Sequence, residues 1–372
     1  MSWHLRWDER GVIWELFRIL LGGVFIFSAC VKLNDPRGLE IKLEEYFQVF
    51  GGLFVGLTHV ALFLALFLIL LELLLGLCLW LSYRLRITVW SILGLLIFFT
   101  FLTFYSAYYD KVRDCGCFGD AIPLSPWQSF SKDLVLLGLT GYLLIFPAAQ
   151  HSVLRFRSLG DKLCLGILSF FTVLTLFLGG YVSQHIPWID FRPYKIGTDI
   201  GLLRKPSGKP VYAYVMERDG KEYRFDSYPT EGGYNFKEMV LQNPEVLPKL
   251  QDYRFWGTED MTEKSLIGKK LLIIIHRFSE ASESDLGDLD KIIKRVPSDW
   301  DIWLLSSSTR SEYELLDHNY AWMNLPLYFA DETLLKTMLR ANPGLFLLNE
   351  GRVVGKTSVW GISSAWMDRV FE

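Results

Sequence analysis

The strongest chemical signal in the chain is a pair of cysteines one residue apart, in Asp114-Cys-Gly-Cys-Phe-Gly-Asp120. A disulfide closing so small a ring needs an intervening residue that tolerates unusual dihedrals, and Gly116 does. Such a ring is strained, and strained disulfides are oxidising and labile. Cys115 and Cys117 therefore read as the catalytic candidates for thiol–disulfide exchange. Two other readings stay open: a structural loop disulfide or pair of inert thiols, and a metal site. Two thiolates fill only half a tetrahedron, and Cys30, His59 and His185 have no ligand spacing among them, so no metal is expected. Lys111 and Arg113 favour a thiolate while Asp114 and Asp120 oppose it. Cys30 is the other cysteine on the same side that could act as a resolving thiol, whereas Cys78 and Cys164 read as small apolar packing residues.

Glu72 is the second residue to weigh. It is the one charge in the stretch 46–83, about eleven residues from the inner end of its span, or roughly 16 Å at 1.5 Å per residue. An ionisable group near mid-bilayer marks a functional or helix-pairing site. It reads either as a proton acceptor near a quinone or as a carboxyl hydrogen-bonded to a neighbouring helix. Lys32 and Asp35, just after the first apolar run, read as auxiliary positions or as an outer-surface ion pair shaping the Pro36 turn.

These residues must be held by helices in a membrane. Of the 372 residues 51% are apolar and 21% charged, with a net charge of −3, but the average conceals a division. Residues 1–186 hold 27 of the 79 charged residues and residues 187–372 hold 52. The pattern excludes a single globular enzyme, a disordered chain and a disulfide-dense scaffold, and no basic stripe points to nucleic acid. Apolar runs predict about five spans, near 11–31, 54–83, 87–109, 134–154 and 163–185, each able to cross about 30 Å of hydrocarbon. The first is expected to stay uncleaved, since Ala29-Cys-Val-Lys32 is a poor cleavage site. Its Glu15 and Arg18, three apart, fall on one face where they can pair. With the N-terminus cytoplasmic, inner segments carry seven Lys/Arg against six outside, where eight acids also lie. This predicts a bacterial inner-membrane protein with residues 187–372 in the periplasm.

The charged half divides again. Residues 187–265 read as a β-rich linker region with a hairpin at Asp219-Gly220. From residue 266 strands and helices alternate: strand 271–276, helix 285–295, strand 301–306, short helix 311–316, strand 325–329, helix 331–340 capped by Asp331, then strands 344–348 and 352–355. This layout, with Ala341-Asn-Pro-Gly-Leu-Phe-Leu-Leu-Asn-Glu-Gly-Arg-Val-Val-Gly355, resembles a thioredoxin-like domain. The resemblance implies a cis proline at Pro343, here a partner-docking position. Where that family carries its two redox cysteines, the chain reads His276-Arg-Phe-Ser-Glu-Ala-Ser-Glu-Ser284, and no cysteine follows Cys164. A domain without thiols binds or positions rather than exchanges disulfides.

Arg18-Ile-Leu-Leu-Gly-Gly-Val-Phe-Ile-Phe-Ser-Ala-Cys-Val-Lys-Leu-Asn-Asp-Pro36, Glu72-Leu-Leu-Leu-Gly76 and Asp114-Cys-Gly-Cys-Phe-Gly-Asp120 closely resemble DoxX/MauE-type membrane proteins, over roughly residues 12–185. In particular they resemble the Bacteroidetes versions with a fused thioredoxin-like domain. The resemblance implies a redox-associated helical core with Cys115 and Cys117 as the exchanging pair and Lys32, Asp35 and Glu72 as motif positions. MauE is held to assist disulfide formation in methylamine dehydrogenase beside a thioredoxin-like partner. The architecture is similar to that of vitamin K epoxide reductase-like enzymes, which pass electrons between protein thiols and quinone. The fold expected is thus multi-domain: an all-α polytopic bundle followed by an α/β thioredoxin-like extracytoplasmic domain. The function expected is thiol–disulfide work in oxidative maturation of envelope proteins. Its partners would be envelope thiols or a thioredoxin-like protein, with quinone as the candidate cofactor and no nucleic acid. The alternative is a non-enzymatic assembly protein whose cysteines staple a loop.

Overall fold

The computed structural model describes residues 9–109, 119–146, 160–230, 232–316 and 320–371. The chain forms two compact units, Met1–Phe191 and Arg192–Glu372.

The first unit is helical: α1 (Glu9–Asn34), α2 (Pro36–Phe50), a 3-10 helix (Gly52–Val60), α3 (Ala61–Trp80), α4 (Leu85–Tyr109), α5 (Pro126–Ile145) and α6 (Asp161–Gln184). Among the described residues four helical segments are long and apolar enough to cross a membrane: Gly11–Asn34, Gly52–Trp80, Leu85–Tyr109 and Asp161–Gln184. Five were expected, and the difference lies at 134–154. Ser125 and Gln128 form a reciprocal capping box, with Pro126 at the first helical position, so α5 begins upstream of the apolar run. It therefore takes in Lys132 and Asp133, which lower its apolarity; residues 147–154 of the expected span lie outside the described residues. The count bears on topology. Five crossings separate the chain ends and four return them to one side, so a periplasmic location for residues 187–372 does not follow from these four. Three of the four precede residue 110.

Helix α2 was not foreseen. Asp35 caps it, its side chain accepting from the Gly38 N–H at 3.0 Å, and Pro36 opens it. Leu39, Leu43 and Tyr46 turn inward. Meanwhile Arg37–Glu40 and Lys42–Glu45 pair along the helix.

Helices α1 and α3 meet where both backbones carry glycine. A Cβ on Gly76 would lie 2.8 Å from Ile26 Cγ1 and 2.9 Å from the Gly22 carbonyl oxygen. Small residues at such a crossing let two backbones approach within a membrane, where packing replaces the hydrophobic drive. Below the crossing, Arg18 pairs with Glu15 at 2.6 Å, as their spacing predicts, and donates to the Leu79 and Trp80 carbonyls at the end of α3. Leu21 and Phe25 of α1, Leu75 and Leu79 of α3, Ile92 of α4 and Leu136 of α5 share one core. At the other end Asn34 exchanges two hydrogen bonds with the backbone of Ile189, at 2.7 and 3.0 Å.

The second unit begins with a one-turn helix, α7 (Ile200–Leu203), and an antiparallel sheet of β1 (Tyr212–Arg218), β2 (Lys221–Phe225) and β3 (Asn235–Leu241), ordered β2-β1-β3. The β1–β2 turn puts Asp219 and Gly220 at φ +52° and +71°, the left-handed pair that a tight hairpin requires. Strand β3 is an addition to the sequence reading. The larger sheet has β4 (Lys269–Ile275), β5 (Asp301–Ser306), β6 (Leu327–Phe329), β7 (Gly344–Asn349) and β8 (Arg352–Ser358), ordered β6-β5-β4-β7-β8. Strands β4, β5 and β6 run parallel, and β7 and β8 antiparallel. Helices α8 (Glu283–Ile293), α9 (Arg310–Glu314), α10 (Glu332–Met338) and α11 (Ser364–Phe371) complete it. Leu271, Ile273 and Ile275 on one face of β4 join Leu286 and Leu289 of α8 and Met367 of α11 in the core. Leu272 and Ile274 on the other face are equally buried, as a central strand covered on both sides must be.

Replacing Gly76 by Val should destabilise the α1–α3 crossing by about 1–3 kcal/mol, the usual range for overpacking. Gly94→Val on α4, where nothing lies within 4 Å, should change little. Thermal denaturation of the two variants in detergent compares them directly.

Candidate functional site

The Cys115 and Cys117 positions lie outside the described residues. The described chain resumes at Gly119, whose φ is +52°, in a short 3-10 turn Gly119–Ala121. A Cβ there would stand 3.4 Å from Val31 Cγ1. Val31 follows Cys30, an exposed free thiol in the last turns of α1. The chain two residues after Cys117 is thus packed beside the residue next to Cys30. Cys164 is buried and Cys78 partly so.

Two of the charged residues singled out in the membrane half, Lys32 and Glu72, meet, in a different pairing from the surface contact considered for Lys32 and Asp35. Lys32 Nζ donates to Glu72 Oε1 at 2.5 Å, and Ser28 Oγ donates to Glu72 Oε2 at 2.9 Å. Both charged side chains are almost wholly buried. Lys32 turns inward because four residues C-terminal to Ser28 it shares that residue's helix face, which looks at α3. Asp35 is three residues further on, where α1 has ended, and its carboxylate is committed to capping α2. Helix register therefore turns Lys32 to Glu72 and Asp35 to the start of α2. Lys32 Nζ also lies 5.1 Å from the centre of the Phe99 ring, a cation–π contact from α4.

A residue that the sequence reading passed over completes the group. Asp133 of α5 is buried, accepts from Thr103 Oγ1 of α4 at 3.1 Å and pairs with Lys132 at 3.1 Å. It was hidden because Lys132 and Asp133 precede the apolar run and read as loop. The available signal was Pro126 following Ser125, a helix start seven residues earlier. Between the two charge pairs lies a cavity of about 30 Å³, lined by Ser28, Lys32, Glu72, Lys132 and Asp133 together with apolar side chains of α1, α4 and α5. That is room for one or two waters. Among the described residues no group of three or more His, Cys, Asp or Glu side chains comes together to hold a metal ion.

In the second unit Pro343 follows a cis peptide bond from Asn342. Asn342 Oδ1 accepts from the backbone N–H of His276, and His276 Nε2 lies 2.9 Å from the Leu339 carbonyl oxygen. His276 comes directly after β4 and is buried. Burial drives its pKa from 6.5 down to about 3, against the opposing pull of the Leu339 carbonyl. The proline segment and the end of β4 are thereby tied together by a neutral imidazole and a side-chain amide.

Breaking the Lys32–Glu72 pair from one side, as Lys32→Met, strands a buried carboxylate and should destabilise the unit by about 3–5 kcal/mol. Lys32→Met with Glu72→Met should recover most of that, read by thermal denaturation in detergent. The His276 imidazole stays neutral in the folded state while the unfolded state gains a proton below about pH 6.5. Stability of the second unit should accordingly fall between about pH 6.5 and pH 3, by at most about 1.4 kcal/mol per pH unit. Urea titrations followed by tryptophan fluorescence should show the slope in the wild type and lose it in His276→Gln.

Neither a curated protein nor a solved structure matches the chain. A family model does match, over residues 10–146, and its description is methylamine utilisation protein MauE. The matched stretch runs from the start of α1 to the end of α5 and includes the Cys-Gly-Cys segment, Lys32, Glu72 and Asp133. Together with the apolar helices, the match supports a MauE-type membrane protein.

Proposed function

We propose that the membrane unit performs thiol–disulfide exchange at Cys115 and Cys117 in the oxidative maturation of exported proteins. The observation that carries this reading is the MauE match across the segment holding both cysteines, a family whose description points to a redox or maturation context. Cys30, a free thiol, precedes Val31, whose side chain stands beside Gly119, and by this reading it is a third thiol in the same exchange. Among the described residues three helices long and apolar enough to cross a membrane precede residue 110, an odd number. With a cytoplasmic N-terminus the pair then faces the outer, oxidising side, where such exchange is sustained.

The chemistry follows from the residues. A thiolate of the partner attacks one sulfur of the Cys115–Cys117 disulfide and the other cysteine leaves as thiolate. A second partner thiolate then attacks the mixed disulfide, so the partner departs oxidised and the pair holds the two electrons. A disulfide on a thioredoxin-like protein accepts them by the same exchange in reverse. The second unit is by this reading thioredoxin-like without redox cysteines. Its parallel β4–β5 pair, antiparallel β7–β8 hairpin and cis Pro343 support that, and protein binding beside Pro343 is the role left to it.

The second reading is an assembly protein whose cysteines staple a loop. The tightly pinned helix ends favour it: Arg18 on the end of α3, and Asn34 on Ile189. Serine at one of the two cysteines should leave a reductant-sensitive adduct on non-reducing gels, and serine at both should abolish it. Alkylation in intact cells should find the pair partly reduced. A pair locked oxidised under every condition, with no adduct from either single variant, assigns the staple instead.

A further inference from the structure

Helix α2 and the 3-10 helix that follows it form a hairpin with no part in the exchange reaction. Helix α2 starts at the end of α1, where Asp35 caps it. Its Leu39 and Leu43 share a core with Ala61, Ala65 and Ile69 in the first half of α3. Its last residue, Phe50, lies 6.5 Å from the Phe101 ring and 5.0 Å from the Tyr105 ring of α4. Fifteen residues at 1.5 Å each make about 22 Å, over which α2 passes from α1, past α3, to α4. It therefore runs across the bundle rather than along it. Gly51 and Gly52, at φ +65° and +56°, then turn the chain. The 3-10 helix Gly52–Val60 returns beside α2 to the first residue of α3.

This returning segment is apolar and uncovered. It contains no Asp, Glu, Lys or Arg, and none of its nine residues is buried. Leu53 is 95% exposed. Residues three apart eclipse in a 3-10 helix, so Phe54, Leu57 and Val60 stand in one row while Thr58 and His59 fall in the other two. Beyond Val60 the exposed rings of Phe63 and Phe67 follow on α3. Helix α3 by itself, twenty residues or about 30 Å, is long enough to cross the hydrocarbon. The 3-10 helix is thus apolar length that the crossing does not need, laid across the bundle at the end where α3 begins. Exposed apolar surface of this kind marks an interaction site, and here it is continuous with the lipid-facing surface of α3.

We propose that Gly52–Val60 is a membrane-surface insertion, lying in the plane of the bilayer where headgroups meet acyl chains. Its partner is the leaflet at that end of the bundle, whose acyl chains cover the row of Phe54, Leu57 and Val60. Thr58 and His59 then stay at headgroup level, as an amphipathic segment in the interface requires. The internal hydrogen bonds of the 3-10 helix satisfy its backbone there. The inference rests on packing within the first unit alone, and stands whether or not the cysteines exchange.

Depth measurements on the full chain in liposomes test it. A nitroxide is placed at Leu57→Cys in a chain whose five native cysteines are serine, and its exposure to oxygen and to a water-soluble nickel complex is read by electron paramagnetic resonance. The oxygen-to-nickel ratio should lie several-fold above that of a label at Lys291→Cys, an exposed site on α8, and below that of one at Phe67→Cys within α3. A ratio equal to that at Lys291 puts the segment in water and overturns the proposal. A ratio reaching that at Phe67 makes it an extension of the span, and a label closed to both reagents means that protein, such as a second copy of the chain, covers it; either result also overturns the proposal. The wild-type chain gives an independent reading, free of any variant that fails to fold. A carbene photoprobe confined to the acyl chains should label residues 52–60, and their absence from the labelled peptides overturns the inference.

Discussion

The membrane unit is organised by the pairing of Lys32 with Glu72. Both are charged groups on largely apolar helices, and in hydrocarbon no water is at hand to solvate them. Each therefore has to find its counter-ion on another helix, which ties α1 to α3 in one register. The Gly22–Gly76 crossing allows the backbones to approach, and Arg18 closes the far end by donating to the last carbonyls of α3. A buried pair of this kind adds little net stability over an apolar replacement. What it imposes is specificity, because any slip of α1 along α3 leaves two charges stranded.

The second unit solves the same difficulty by other means. Caps and ties take up several of its polar groups: Asp331 caps α10, Ser282 caps α8, and Asn342 accepts from the backbone at the end of β4. A sheet covered on both faces supplies the core. The buried His276 is kept neutral there because burial disfavours the charged ring, and this outweighs the opposing pull of the Leu339 carbonyl.

Much of the second unit was legible residue by residue. Strand 301–306 has the bounds read from its sequence, Asp331 is the cap expected of it, and the Asp219-Gly220 turn forms a hairpin. These features are local, set by turn dihedrals, side-chain caps and short apolar runs. The elements that escaped reading were those whose reason is tertiary. Helix α2 carries too many charges to look like part of a membrane unit, yet it buries Leu39, Leu43 and Tyr46 against the bundle. Helix α5 was placed too late in the chain because apolar run length outweighed the Ser125–Gln128 capping box. In the site, Glu72 was visible as a lone charge in an apolar run, whereas its partner lies 40 residues away.

What the sequence determined by itself was the kind of surroundings each part requires: apolar helices for the first unit, alternating strands and helices for the second, and thiols confined to the first. Those follow from composition and periodicity, which act along the chain and need no partner. Only the tertiary structure decided which charge answers which. Lys32 could reach toward Asp35 in sequence, but helix register turns it to Glu72 and leaves Asp35 to cap α2. Asp133 enters the site because α5 packs against α1 and α4, bringing a third buried charge to the same cavity. Charge balance in an apolar interior is a sum over whatever the fold brings together, and that sum does not exist until the helices have packed.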